Sequence, residues 1–208
     1  MLFRSQAAYR QHYRATHRHS TEQLTWRESG RIWAIDHVVP PNPIDGTQKA
    51  AFSLRDLGTQ LAWQPVPDQS ASPTAAALKS LIEMHGPPLA IKSDNGSAFK
   101  VVDLQRLLDE HAITWLPSPP RMPWYNGGCE AGNHSMRVHT DHFARRAGGW
   151  TGACLEAARR QANELTRPEG HRRPTPGQHW AARTPISQTQ REQFTTAVAR
   201  HQQQAIAE

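Results

Sequence analysis

Hydrophobic and polar positions alternate with changing period along the chain, and the changes mark out its elements. Residues 31–40, RIWAIDHVVP, mix β-branched and aromatic residues and close on a proline, as a strand does. QKAAFSLRDLGTQ and LAWQPVP read as the next two strands, with a turn near Asp56-Leu57-Gly58. The period then lengthens. SPTAAALKSLIEMHGPP (72–88) has Ser72 as an N-cap and Pro73 in the first turn, with Ala76, Leu78, Leu81 and Ile82 on one face; Gly86 and two prolines stop it. LAIKSDNG (89–96) is a short strand running into a turn. VVDLQRLLDEHA is a helix with Val101, Leu104, Leu107 and Leu108 on one stripe. ITWLPS is a further strand, followed by a Pro- and Gly-rich loop, a helix over 127–147 and another over 151–168.

Three consecutive strands predict an antiparallel meander, and the later strand–helix alternation predicts parallel neighbours. The expected fold class is therefore α/β, a mixed five-stranded sheet flanked by helices. Three regions follow: residues 1–30, a basic arm or linker helix; 31–168, the core; and 169–208, a polar extension rich in Pro, Arg and Gln with a helix near 188–206. Trp33, Trp63 and Trp115 fall in strands and are expected in the core.

Composition narrows the partners. The 24 Lys and Arg exceed the 18 Asp and Glu, giving +6 with twelve His uncounted, and a basic excess favours phosphate-bearing partners. Cys129 and Cys154 form neither a CxxC pair nor a disulfide framework, which fits a reducing compartment. The first twenty residues lack the apolar run of a signal peptide, and no stretch approaches a membrane span, so a cytosolic protein with no membrane partner is expected.

Three acids stand at element ends. Asp36 lies on the first strand, Asp94 where the fourth strand ends, and Glu130 on the first turns of the helix after the long loop. Each has a plain structural explanation: a strand-end residue, a turn former before Asn-Gly, and an acid at a helix start. Together they point elsewhere. The 35 residues 95–129 hold one helix, one strand and one loop, enough to return the chain beside Asp94. Carboxylates brought together repel and lose acidity unless a cation sits among them. Mg²⁺ takes such oxygen ligands, and two ions about 4 Å apart clamp the attacking and leaving oxygens of a phosphoryl transfer.

WAID (33–36), SDNGSAF (93–99) and PWYNGGCEAG (123–132) resemble the catalytic core of DDE transposases and retroviral-type integrases over roughly residues 30–150. The later HRRPTPGQHWAARTPIS resembles the segment following the core in bacterial insertion-sequence transposases. The sequence departs from these families in having no recognisable helix-turn-helix before the core and no His-His-Cys-Cys zinc module.

The resemblance implies an RNase H-like fold and two-metal phosphoryl transfer on DNA. Asp36, Asp94 and Glu130 would be the catalytic and metal-binding residues, with Mg²⁺ as cofactor and Mn²⁺ as its substitute. It implies a homo-multimer on element ends and target DNA, accessory transposition proteins as further partners, and a bacterial, nucleoid-associated location. Asn126 matches the family's mobile loop. His134 and Arg137, four and seven residues after Glu130, share its helix face, and family members place basic residues there near DNA. Arg121 and Trp124 in the loop are further DNA candidates; Trp124 stacks on a base or packs the loop.

Two alternatives stay open: a catalytically silent core that binds DNA or transposase, and an RNase H-like nuclease. Cys129 is read as helix packing rather than a nucleophile. His139 and His142 are read as an exposed basic face, lacking further ligands for a metal.

Overall fold

A computed structural model describes residues 28–59, 61–119 and 123–207. The arm 1–27, Arg121, and the side chains of Trp63 and Trp124 lie outside what it describes. The strands are β1 (Ile32–Val38), β2 (Ala50–Asp56), β3 (Leu61–Val66), β4 (Ala90–Ser93) and β5 (Thr114–Pro117). The helices are α1 (Ala71–His85), α2 (Val102–Glu110), α3 (Gly127–Ala147), α4 (Gly152–Arg160, continued by a wider π-type turn, Gln161–Leu165), α5 (Pro176–Ala181) and α6 (Gln188–Ala207).

The strands form one sheet in the order β3-β2-β1-β4-β5. β1–β2 and β2–β3 are antiparallel; β1–β4 and β4–β5 are parallel. The mixed five-stranded sheet flanked by helices is as expected. Pro65 and Pro117, which cannot donate to a ladder, lie on the edge strands β3 and β5.

The period-2 alternation of each strand splits two cores across the sheet. Trp33, Ile35, Phe52, Leu54 and Ile91 pack on one face against Leu78, Leu81 and Ile82 of α1 and Leu104 and Leu108 of α2. Val38 and Ala51 face the other way, onto Met136 and Ala144 of α3 and Leu155 and Ala158 of α4. The apolar stripe of α1 differs from the expected one by a residue. Ala76 is exposed, while Thr74, Ala77, Leu78, Leu81 and Ile82 are buried at helical spacings of three and four; the N-cap is Ser70, not Ser72. Gly86 ends α1 at φ 80° with its N–H on the Ile82 carbonyl, a conformation that favours glycine.

The polar segment after residue 168 is docked on this body. Thr175 and Gln178 form a reciprocal capping box at the start of α5. Trp180 enters the α1–α2 core. Arg183 lies 3.9 Å over the Trp180 ring and donates to the His85 carbonyl. The buried Arg191 donates to the carbonyls of Pro88 (2.6 Å), Pro87 (3.0 Å) and Ala112 (3.2 Å). No described helix is long and apolar enough to cross a membrane.

Candidate active site

β1 and β4 run parallel side by side, so their C-terminal ends emerge together. Asp36 lies near the end of β1, and Asp94 follows Ser93, the last residue of β4. Asp36 alternates with Trp33 and Ile35, and its side chain faces α3. Its Oδ2 accepts from Asn133 Nδ2 at 2.9 Å, and its Oδ1 accepts from the His37 N–H at 2.7 Å. Asp94 is exposed; its Oδ1 accepts from the Gly96 N–H at 2.8 Å. A Cβ on Gly96 would stand 2.9 Å from that oxygen and 3.3 Å from the Phe99 ring, so the turn has no room for a side chain there. Glu130 is exposed on the first turn of α3.

Burial holds the Asp36 carboxyl above the usual carboxylate range, the bond from His37 opposes this, and the charges of Asp94 and Glu130 raise it further. Among the described residues none of the three carboxylates joins an ion pair. Nor do three or more His, Cys, Asp or Glu among the described residues stand together as a ready metal-ligand group. Asp36 instead spends both oxygens on His37 and Asn133, and Asp94 spends one on its own turn. The donor set is all oxygen and has no paired cation among the described residues. In chemical kind it fits a hard divalent ion.

Asn133 was not singled out by sequence. It receives the Ser53 hydroxyl on its Oδ1 and donates to Asp36, tying α3 to β2 and β1 at once. The signal was available: a polar residue three after Glu130, on the stripe that also buries Cys129 and Met136.

His37, next to Asp36, turns to the opposite face. Its ring stacks on Phe99 with centroids 5.1 Å apart and meets Thr74 Oγ1 at 2.9 Å. Since Thr74 donates its hydroxyl proton to the Ser70 carbonyl, His37 Nε2 is the donor in that contact. Burial holds the imidazole pKa below its ordinary value, against the pull of the Asp94 charge. Phe99 is packed in the α1–α2 core.

The residues proposed for DNA divide. His134 and Arg137 are exposed on α3. Arg137 donates to the Val39 carbonyl at 3.3 Å and sits 5.7 Å from the Trp150 ring. Asn126 is 6% exposed at the N-terminal boundary of α3, with its side-chain oxygen buried and unpartnered. The Cys129 thiol, buried and donating toward the Ala34 carbonyl, is pushed up to about 12, which removes it as a nucleophile.

By sequence alone, the chain matches no family model and no curated protein. Solved structures do match. Against the simian T-cell lymphotropic virus intasome in complex with PP2A regulatory subunit B56 gamma, the TM-score is 0.69 at 19% identity over 79% of this chain and 60% of that one. Against the HTLV-2 integrase catalytic core domain in complex with magnesium it is 0.60 at 18% identity, over 73% of this chain and 96% of that one. Against the BIV integrase catalytic core domain it is 0.61 at 20% identity, over 73% and 94%. The fold is that of the integrase catalytic core, RNase H-like. This chain spans nearly all of such isolated cores but less than two thirds of the intasome chain.

Proposed function

We propose that this chain is the catalytic core of a DDE-type polynucleotidyl transferase, acting on DNA ends in transposition or integration. The observation that carries the reading is the position of Asp36 and Asp94 at the shared C-terminal edge of β1 and β4, with Glu130 on the first turn of α3, the helix whose Asn133 bonds Asp36, and none of the three acids in a described ion pair. Asp36, Asp94 and Glu130 would hold Mg²⁺, or Mn²⁺ in its place. The bound ions would supply charge neutralisation at a transferring phosphate and activation of water or a 3′-hydroxyl. The chain's own part is to position. Asn133 and His37 fix the Asp36 carboxylate, the Gly96 turn fixes Asp94, and the exposed Arg137 and His134 offer contacts to DNA phosphates. Action as a homo-multimer on element ends and target, with accessory transposition proteins in a bacterial nucleoid, belongs to the same proposal.

The carboxylates are not drawn into a ligand group among the described residues. That favours, as second reading, a silent module that binds DNA or transposase. Nicking of supercoiled plasmid in Mg²⁺ or Mn²⁺ decides between them. The transferase reading expects metal-dependent nicking that Glu130→Gln abolishes while DNA binding persists. Equal nicking by both proteins refutes it, and binding without nicking by either supports the silent module.

A further inference from the structure

The first turn of α3, which carries Glu130, is seated on a row of three residues crossing the middle of the sheet. Arg55 of β2 pairs with Ala34 of β1, and Ala34 pairs with Lys92 of β4. All three side chains face α3, as Asp36 does two residues further along β1. Each reaches the start of the helix or the turn before it. Arg55 Nη1 donates to the Gly128 carbonyl. Lys92 Nζ donates to the Tyr125 carbonyl at 2.7 Å and lies 3.9 Å over the Tyr125 ring. Between them the small Ala34 leaves its carbonyl to the Cys129 Sγ–H at 3.6 Å. Gly128 completes the fit, since a Cβ there would stand 3.1 Å from Leu57 Cδ2.

Two cations at a helix N-terminus oppose the macrodipole, which favours acids there. Neither has a carboxylate partner among the described ion pairs. Both are partly buried, so placing them there costs stability that a neutral pair would not. Their geometry accounts for that cost by what it holds: carbonyls five and two residues before Glu130.

We propose that Arg55 and Lys92 are positioning residues that grip the Tyr125 and Gly128 carbonyls from either side of β1 and so set where Glu130 stands relative to Asp36. The inference rests on the phosphoryl-transfer reading for its consequence, though not for its geometry. Neither residue touches the acids or a reacting group; Arg55 acts through the backbone of the first turn of α3, and Lys92 through the Pro123–Asn126 turn that leads into it.

The test uses the full chain as Arg55→Met and Lys92→Met, with Arg55→Lys and Lys92→Arg as conservative variants. Hydrogen exchange of the metal-free protein is read over Ala131–Asn133, whose amides begin the α3 ladder, and Mn²⁺ binding is titrated separately. Each methionine variant is expected to speed exchange there about tenfold, the size of one charge-assisted bond lost, with β1 and β2 protection unchanged and Mn²⁺ affinity reduced. Lys92→Arg is expected to restore both. Unchanged exchange over Ala131–Asn133 in both methionine variants overturns the inference, as does a uniform rise across β1, β2 and α3. If the wild type binds no Mn²⁺, the phosphoryl-transfer reading fails, and exchange alone then decides whether the two cations seat the helix.

Discussion

Replacing Arg191 by methionine is expected to cost the protein a large share of its stability, although the residue lies far along the chain from the acids. Its guanidinium is buried and donates three bonds, to the carbonyls of Pro87, Pro88 and Ala112. Those carbonyls belong to the segments leading into β4 and β5. Methionine fills a similar volume but donates nothing, so three acceptors lose their donor together. A bond to a charged donor is worth roughly 1.5–3 kcal/mol, and the three share one group, so about 3–5 kcal/mol is the net expectation. Domains of this kind have about 5–15 kcal/mol in all. With a urea slope near 2 kcal/mol/M, the unfolding midpoint should fall by roughly 2 M. Urea unfolding followed by tryptophan fluorescence measures it, with the exposed Arg200→Met as control, expected to match the wild type. A drop for Arg191→Met of less than about 0.3 M would refute the view that α6 is fastened to the sheet by this side chain.

Two further predictions concern buried titratable groups. Burial pushes the Asp56 carboxyl up to about 6, against bonds from the Gly30 N–H and from Thr59. A raised folded pKa gives a contribution fully present below the unfolded value near 3.8 and lost as pH rises through 6. Stability of the wild type relative to Asp56→Asn should therefore fall by about 3 kcal/mol between roughly pH 4 and pH 7, and a pH-independent difference in urea midpoints would contradict this. The Cys129 thiol, at about 12 and buried, should resist a disulfide reagent near pH 8 in the native chain. Both thiols should react once urea is added, and one fast thiol in the folded protein would count against the burial described.

Periodicity gave the strands and the longer helices, but not the short α5 (Pro176–Ala181). The alternation of β1 and β2, the stripe of α2 and the Gly86 stop of α1 are set by residues two to four apart, so local sequence carries them. The same local logic placed Asp36, Asp94 and Glu130 at element ends. It erred on Ala76 by one position: two residues before Leu78 is about 200° around a helix, so the stripe runs through Ala77 instead. Tertiary structure alone decided that β1 lies between β2 and β4, which brings Asp36 beside Asp94. It alone gave Asn133 its role, since its partners Ser53 and Asp36 are 80 and 97 residues away. The same holds for Arg191, whose polarity reads as solvent exposure until the carbonyls of Pro87, Pro88 and Ala112 are brought around it. An apolar residue declares its burial by its own chemistry, whereas a polar one is buried only when distant groups arrive to satisfy it.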